Sequence, residues 1–251
     1  MTRRPTIVAV AISILFAGAV AAQGAPAAGL ANARAAYEQR GDPERARAAV
    51  ELFKEAAKAD ATSVEARWEG ARAAYYYGTY ARADAPDSEK MAIFDGGIEL
   101  AKQAVALAPK DVEAHFWLGV LYGVYGEAKG VFKSLSLVPS IKQEMKTCLE
   151  IDPSVEGWGP DRVLGRMYYK LPFFKGGDNK KSIEHLEKSL AGAPTDALTK
   201  LYLAETYKSE GMKGKAIDQL KGIVTMTPDP RWAPEHPSIR AKAEKLLAKL
   251  Q

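Results

Sequence analysis

The sequence has few of the residues that build reactive or cross-linked sites. It has a single cysteine, Cys148, and only three histidines, His115, His185 and His236. One cysteine excludes an internal disulfide, and histidines this far apart do not have the spacing of metal ligands. There is also no glycine-rich phosphate loop and no G-x-S-x-G motif. We therefore expect no catalytic residues, no metal and no cofactor, and the chain is not expected to be an enzyme.

The charge is balanced, with 35 lysines and arginines against 31 acidic residues. This balance does not favour nucleic acid as a partner, since nucleic-acid-binding proteins present clustered basic surface. Arg3 and Arg4, an apolar stretch over 7–20 and small residues at 19–22 have the pattern of a secretory signal. We predict a signal peptide over 1–22 and a flexible tether over 23–29. A short uncleaved anchor is the alternative.

Cleavage after this signal removes two arginines and no acid, so the net charge falls from +4 to +2. The apolar stretch is shorter than the ~18–20 residues of a membrane span. No cysteine stands near the cleavage site, so the chain has no lipobox. These features predict a periplasmic protein that carries no lipid anchor.

The remainder of the sequence has a helical composition and an internal repeat. Pro194 and Pro228 are 34 residues apart, which is the tetratricopeptide period. Between them, Leu203, Ala204 and Tyr207 occupy the leucine, small and tyrosine positions of the first helix of such a repeat. We predict an all-α, tetratricopeptide-like superhelix of about four to five antiparallel helix pairs, forming a single domain over 30–251. The apolar stripe after Pro237 predicts a C-terminal capping helix.

The concave face of such a superhelix is lined by the first helix of each pair, and the repeat register predicts which side chains lie there. Its aromatic members and two arginines are candidates for a ligand-binding groove. They are Tyr76, Tyr77, Phe116, Trp117, Arg162, Arg166, Tyr169 and Tyr202. Arg162 and Arg166 share one helix face, and arginine binds carboxylates well. This pattern favours a small hydrophobic organic acid. Internal pairing is the alternative, with Asp161 and Glu205 as partners.

Three stretches, 82–91, 126–140 and 170–180, lengthen the repeats, and long loops often carry function. The third contains large apolar residues that are unfavourable in an exposed loop, so we expect it to be structured against the groove or a partner. Its candidate partner-binding or gating residues are Leu171, Phe173, Phe174, Gly176 and Gly177.

The region from Cys148 to Tyr207 resembles the T component associated with some bacterial TRAP transporters. The likeness is carried by Asp152-Pro153, Gly159-Pro160-Asp161, Leu164-Gly165, Leu171-Pro172, Gly176-Gly177-Asp178 and Leu203-Ala204-Glu205 with Tyr207. The resemblance implies a periplasmic helical repeat protein that acts beside a solute-binding protein for organic acids. A weaker likeness, of residues 164–169 to eukaryotic regulators of microtubule dynamics, is disfavoured by the predicted signal peptide.

Two functions remain open after this reasoning. The first is a transport accessory that binds a small organic acid, a partner solute-binding protein, or both. The second is an exported scaffold whose groove binds a peptide or helix and no small ligand. Self-association into a homo-oligomer is compatible with either. An enclosed apolar cavity would favour the first function, and an open groove would favour the second.

Overall fold

The computed structural model of the protein describes the backbone of residues 20–251 and the side chains from residue 27 onward. This part of the chain contains eleven α-helices joined by short turns and contains no strand. The helices are α1 (Val20–Glu38), α2 (Pro43–Ala59), α3 (Val64–Tyr76), α4 (Asp87–Leu107), α5 (Val112–Lys129), α6 (Val138–Ile151), α7 (Val155–Lys170), α8 (Asn179–Gly192), α9 (Ala197–Ser209), α10 (Lys213–Thr225) and α11 (His236–Ala248).

Short polar residues set the starts of many of these helices. Asp42, Ser63, Asp111, Asp178 and Asp196 each accept a hydrogen bond from a backbone N–H in the first turn of the helix that follows. Such a cap stabilises a helix by about 1 kcal/mol because it satisfies a donor that otherwise has no partner. The repeating aspartate in the turns therefore fixes where one helix ends and the next begins.

The helices pack as five antiparallel pairs, α1–α2 to α9–α10, with α11 against the last pair. This arrangement confirms the predicted tetratricopeptide-like superhelix with its capping helix. Small residues allow the two helices of a pair to approach closely. At Gly165 in α7, a Cβ atom would lie 2.5 Å from Cγ of Leu186 in α8 and 3.0 Å from the backbone oxygen of Ser182. The core accordingly runs along the superhelix, between successive helices.

The start of α7 departs from regular helix. Glu156, Gly157 and Trp158 have φ values of 49°, 66° and 59°, which form a left-handed turn just before Pro160. Two non-glycine residues in this region cost roughly 1–3 kcal/mol each, so the surroundings must hold them in place. Ser189 donates a hydrogen bond of 2.9 Å to the Trp158 carbonyl. The indole of Trp158 packs on Gly192, where a Cβ atom would come within 2.2 Å of the ring.

The structure describes only part of the N-terminal segments that the sequence predicts. Residues 1–19 of the predicted signal peptide lie outside the described residues. The structure includes residues 23–29, which we predicted as a tether, in α1, where alanine is the most frequent residue and favours helix. Within residues 20–251, no helix has the length and apolar content needed to cross a bilayer.

The lengthened connections contain short helices. A single π-helical turn over Tyr77–Ala81 continues α3, and 3₁₀-helices form at Val131–Leu137 and Phe173–Lys175. In the third stretch, the amide of Asp178 donates to the Tyr168 carbonyl at 3.1 Å, which closes the loop against the end of α7. This stretch therefore has defined backbone structure, as predicted.

Candidate functional site

The concave side of the superhelix encloses a cavity with a volume of about 1390 Å³, its solvent-open part included. Helices α3, α5, α7, α9 and α11 contribute its walls, and most of the lining side chains are aromatic or aliphatic. The aromatic ones are Tyr37, Tyr75, Tyr80, Phe116, Trp117, Tyr122, Tyr202 and Trp232. A partly enclosed, largely apolar space with few polar groups is typical of small-molecule sites.

One side of the cavity is covered by the connection between α10 and α11. Met226, Pro228, Asp229, Trp232 and Glu235 all line the cavity from this segment. The first helix pair holds the segment in place, because the end of α1 reaches across to it. Residues at opposite ends of the chain thus close the concave side and turn an open groove into a cavity.

The closing contact is centred on Arg40, which is 5% exposed. Its Nε donates to Glu235 Oε1 at 3.0 Å, and its Nη2 donates to the Arg231 carbonyl at 2.5 Å and to Glu235 Oε2 at 3.3 Å. The guanidinium also lies 4.5 Å from the ring centre of Tyr37 and 5.4 Å from that of Tyr76. A buried, doubly hydrogen-bonded ion pair of this kind fixes orientation well.

Five of the eight side chains predicted for the groove line the cavity. They are Phe116, Trp117, Arg162, Arg166 and Tyr202. The other three, Tyr76, Tyr77 and Tyr169, are not among its lining residues.

On α3, the tyrosines that face the cavity differ from those that the repeat register predicts. Tyr75 and Tyr80 face the cavity instead. Tyr76 is buried against Tyr37 and Tyr80, with ring centres 6.3 Å and 5.3 Å away. Tyr77 packs with the cluster of α1 and α2. Neighbouring residues on a helix point about 100° apart, and the π turn that begins at Tyr77 moves Tyr80 onto the inner face.

Arg162 is buried and is paired within the protein. Its Nη1 donates to Asp196 Oδ2 at 3.0 Å, and its two terminal nitrogens donate to the carbonyls of Gly157 and Glu156 at 3.3 Å and 3.2 Å. Asp196 is itself buried and caps α9. Arg162 therefore holds the left-handed turn of α7 to the start of α9. The predicted partner Asp161 is instead paired with His185 and Lys188, at 2.7 Å and 3.0 Å.

Arg166 is also paired internally but is less enclosed. It forms an ion pair with Glu205, the partner expected under the internal-pairing alternative, and its Nε donates to Glu127 at 3.2 Å. The guanidinium lies 4.2 Å from the ring centre of Tyr202 and 5.6 Å from that of Tyr169. The side chains of Glu127 and Glu205 are 38% and 29% exposed, whereas that of Asp196 beside Arg162 is 8% exposed.

The charges around Arg166 do not cancel. Lys170 lies 3.1 Å from Glu127. Lys242 on α11 is near the same carboxylates, and burial lowers its pKa, as does the positive charge of Arg166. Arg166 and Lys170 pair with Glu127 and Glu205, and the nearby Lys242 adds one positive charge in excess when all five groups are ionised. Glu127 and Lys242 were not predicted, because neither stands at a repeat signature position.

A second charged cluster lies at the base of α5 and α7, where Glu113, Glu156 and Arg72 meet. Burial raises the pKa of Glu113, and so does repulsion from Glu156. Burial also raises the pKa of Glu156, and the positive charge of Arg72 opposes both shifts. Oε2 of Glu113 is buried without a hydrogen-bond partner among the described residues. The cluster is therefore a place where the folded protein retains a proton.

The residues predicted in the 170–180 stretch separate into two groups. Leu171 is buried and lines the cavity. Gly177 packs against it so closely that a Cβ atom would lie 1.9 Å from the Leu171 carbonyl oxygen, and Gly176 has a φ of 90° that favours glycine. Phe173 and Phe174 point outward, 87% and 63% exposed. Of the two alternatives expected for this stretch, the groove therefore takes Leu171, and contact with a partner stays a prediction for the phenylalanines.

The remaining candidate groups have structural surroundings. Burial raises the pKa of Cys148 to about 12, which makes this thiol a poor nucleophile. His115 pairs with Glu144 at 2.6 Å, in the interface between α5 and α6. Residues 27–251 contain no group of three or more histidine, cysteine or acidic side chains arranged to hold a metal ion.

Solved structures with similar folds are tetratricopeptide proteins. The crystal structure of TTC0263, a thermophilic TPR protein of Thermus thermophilus, has a TM-score of 0.63 at 20% identity, covering 89% of this chain and 99% of that one. Two structures of MamA cover 82% and 88% of this chain and 92% and 96% of theirs, with TM-scores of 0.45 and 0.47 at 16% and 17% identity. No curated protein sequence matches significantly.

The similarity to TTC0263 shows a tetratricopeptide-like fold and leaves the resemblance to the T component as a proposal. A family model bears on the weaker of the two likenesses noted in the sequence. It matches residues 30–158, just over half of the chain. The match ends before residues 164–169, the segment on which the weaker likeness was based. That likeness nevertheless pointed to the right family, and the predicted signal peptide was no ground for disfavouring it: the chain belongs to the family described as regulator of microtubule dynamics protein 1-3.

Proposed function

We propose that this protein is a non-enzymatic binding protein that takes up a small apolar molecule with one anionic group in its concave cavity. The enclosed, mostly aromatic and aliphatic wall is the observation that carries the proposal. Closure by the segment between α10 and α11 leaves less room for an extended peptide than an open groove would. The excess positive charge around Arg166 supports a single carboxylate or similar group at that end.

Arg166 is the proposed contact for the anionic group, and Arg162 is not. Arg162 donates to the buried carboxylate of Asp196 and to two backbone carbonyls, and removing it leaves Asp196 buried without its cation. No hydrogen bond joins Nη2 of Arg166 to a described residue, and its two carboxylate partners are partly exposed, so they can move aside. This assignment narrows the sequence-based prediction, which gave both arginines the same role.

Calorimetry with decanoate and with the matching uncharged alcohol tests the proposal. Decanoate should bind, and Arg166→Gln should weaken its binding about 10- to 100-fold, since a charge-assisted hydrogen bond contributes about 1.5–3 kcal/mol. The same substitution should change binding of the alcohol much less. Arg162→Gln should instead lower the melting temperature. Failure of wild-type protein to bind either compound would remove the small-molecule proposal.

A cavity-filling variant separates the cavity from the rest of the surface. Gly123 lies on α5 and lines the cavity, and a Cβ atom there would meet nothing within 4 Å. Gly123→Phe should therefore place its ring in the cavity, with open space at its Cβ atom, and weaken binding of both compounds. Gly96 on α4 is equally unobstructed and does not line the cavity, so Gly96→Phe is the matched control. Equal binding by both variants would place the ligand elsewhere.

A protein partner is the second candidate, and the fold favours it, because helical repeats present extended surfaces for protein–protein interaction. The resemblance to the T component suggests a periplasmic solute-binding protein as that partner, with the cavity ligand passed between the two. The family description instead refers to microtubule dynamics. Affinity capture of wild-type protein and Gly123→Phe in parallel distinguishes the two sites: a partner retained equally by both uses the outer surface and not the cavity.

A further inference from the structure

Three phenylalanines form an exposed patch on the outer surface near the cavity. Phe132 follows α5, and Phe173 and Phe174 follow α7, with exposures of 67%, 87% and 63%. Their rings are already gathered, because the centres of Phe132 and Phe174 and those of Phe173 and Phe174 are each 6.3 Å apart. Soluble proteins rarely present several large apolar side chains together unless the surface binds something.

Lysines are the charged residues within the two segments that carry this aromatic patch. Residues 128–143 include Lys129, Lys133 and Lys142 and no acidic residue, and residues 169–177 include Lys170 and Lys175 and no acidic residue. Lys133 and Lys175 directly follow Phe132 and Phe174 in the sequence, and both are exposed. Exposed aromatic rings beside lysines are the combination found on surfaces that lie in the interface of an anionic bilayer.

From this arrangement we infer that the aromatic patch docks the protein onto an anionic phospholipid surface. The three rings enter the headgroup region, and the lysines contact lipid phosphates. A second copy of the chain is a poorer occupant, because a two-fold contact through this patch brings lysines against lysines. The inference does not depend on the proposed cavity ligand, since none of the three phenylalanines lines the cavity.

Sedimentation with vesicles tests the inference on the full chain. Vesicles of phosphatidylcholine alone are compared with vesicles of phosphatidylcholine and phosphatidylglycerol in equal parts. Wild-type protein should sediment with the mixed vesicles, and raising the salt concentration should release it, because salt screens the lysines. Sedimentation that is absent, or equal with both kinds of vesicle, would overturn the inference.

Two double variants separate the contributions that the aromatic rings and the lysine charges make to vesicle binding. Phe173→Ala with Phe174→Ala should weaken vesicle binding about tenfold or more. Lys133→Gln with Lys175→Gln should weaken it about 25-fold, since each lysine near an anionic surface contributes about fivefold, or about 1 kcal/mol. All four side chains are exposed, so folding should be unchanged by circular dichroism.

Controls use exposed residues of the same types elsewhere on the chain. Leu107→Ala with Met212→Ala removes two exposed apolar side chains outside the patch, and Lys58→Gln with Lys221→Gln removes two exposed charges. Binding should survive in both controls. A loss in the controls that equals the loss in the patch variants would show a non-specific charge effect and overturn the inference. So would patch variants that change only the oligomeric state or the capture of a protein.

Discussion

The buried pair of Arg40 and Glu235 joins the two ends of the superhelix, and its removal should have a measurable and pH-dependent effect. Arg40→Gln removes the charge-assisted hydrogen bonds to Glu235 and the contact with the Arg231 carbonyl. The carboxylate of Glu235, a residue that is 5% exposed, would then be left without its cation. Breaking a buried pair in this way usually costs about 3–5 kcal/mol.

Protonation of Glu235 limits that cost. Burial already raises the pKa of this carboxyl from its ordinary value of 4.5. Neutralising a group of pKa 4.5 costs about 3.4 kcal/mol at pH 7 and about 0.7 kcal/mol at pH 5, at 1.36 kcal/mol for each pKa unit. Arg40→Gln should therefore lower the free energy of unfolding by about 3 kcal/mol at pH 7 and by much less at pH 5.

Chemical denaturation at the two pH values measures this difference, and amide hydrogen exchange over residues 230–248 locates it. Faster exchange there, with α3 to α8 unchanged, is expected because repeats can unfold from one end. Adding Glu235→Gln should recover much of the loss. Arg240→Gln breaks an exposed pair with Glu244 and should cost under about 1 kcal/mol. A cost of Arg40→Gln that is equally small, or the same at both pH values, would refute the reasoning.

Three further substitutions or reactions test the packing and the charges. Gly165→Leu should lower the free energy of unfolding by about 1–3 kcal/mol, measured by denaturation, because the facing helix leaves no space for a side chain. Burial raises the pKa of Glu113 and Glu156, so the folded protein binds a proton that the unfolded chain releases. The contribution of these two groups to stability should be largest below the ordinary glutamate range and should fall as pH rises through their raised pKa values. Glu113→Gln should flatten this decline between roughly pH 5 and 8, and the exposed Glu55→Gln should not. Cys148 should react with a thiol reagent in denaturant and resist it in native buffer, which absorbance at the reagent's wavelength follows.

Most of the fold follows from local features of the sequence. The prolines of the turns, the capping aspartates and the small residues at the helix contacts act over a few residues, and together they predict helix pairs and the capping helix. The left-handed turn at 156–158 is less predictable. The glycine at 157 suggests a turn, but the positive φ of Trp158 depends on Ser189 and on the space above Gly192, more than 30 residues away.

The site was harder to predict than the fold because it depends on the register and on the closure of the superhelix. Phe116 and Trp117 on a regular helix line the cavity at the predicted positions. On α3 it is Tyr75 that faces inward, and the π turn that follows α3 brings Tyr80 to the same wall. The covering segment near Trp232 has no signature in its own sequence. It becomes part of the cavity because Arg40 binds Glu235, which lies 195 residues further along the chain.

The ion pairs that line the concave side join residues whose separation in the chain is close to one repeat. Arg166 is 39 residues from both Glu127 and Glu205, and Arg162 is 34 residues from Asp196. Each pair therefore joins equivalent faces of neighbouring helices on the concave side, so a charge on one helix is met by its counterpart on the next. An arginine on this face is consequently no indication of a ligand by itself. The discriminating property is how deeply its acidic partners are buried, and on that criterion Arg166, with its two partly exposed carboxylates, can change partners and Arg162 cannot.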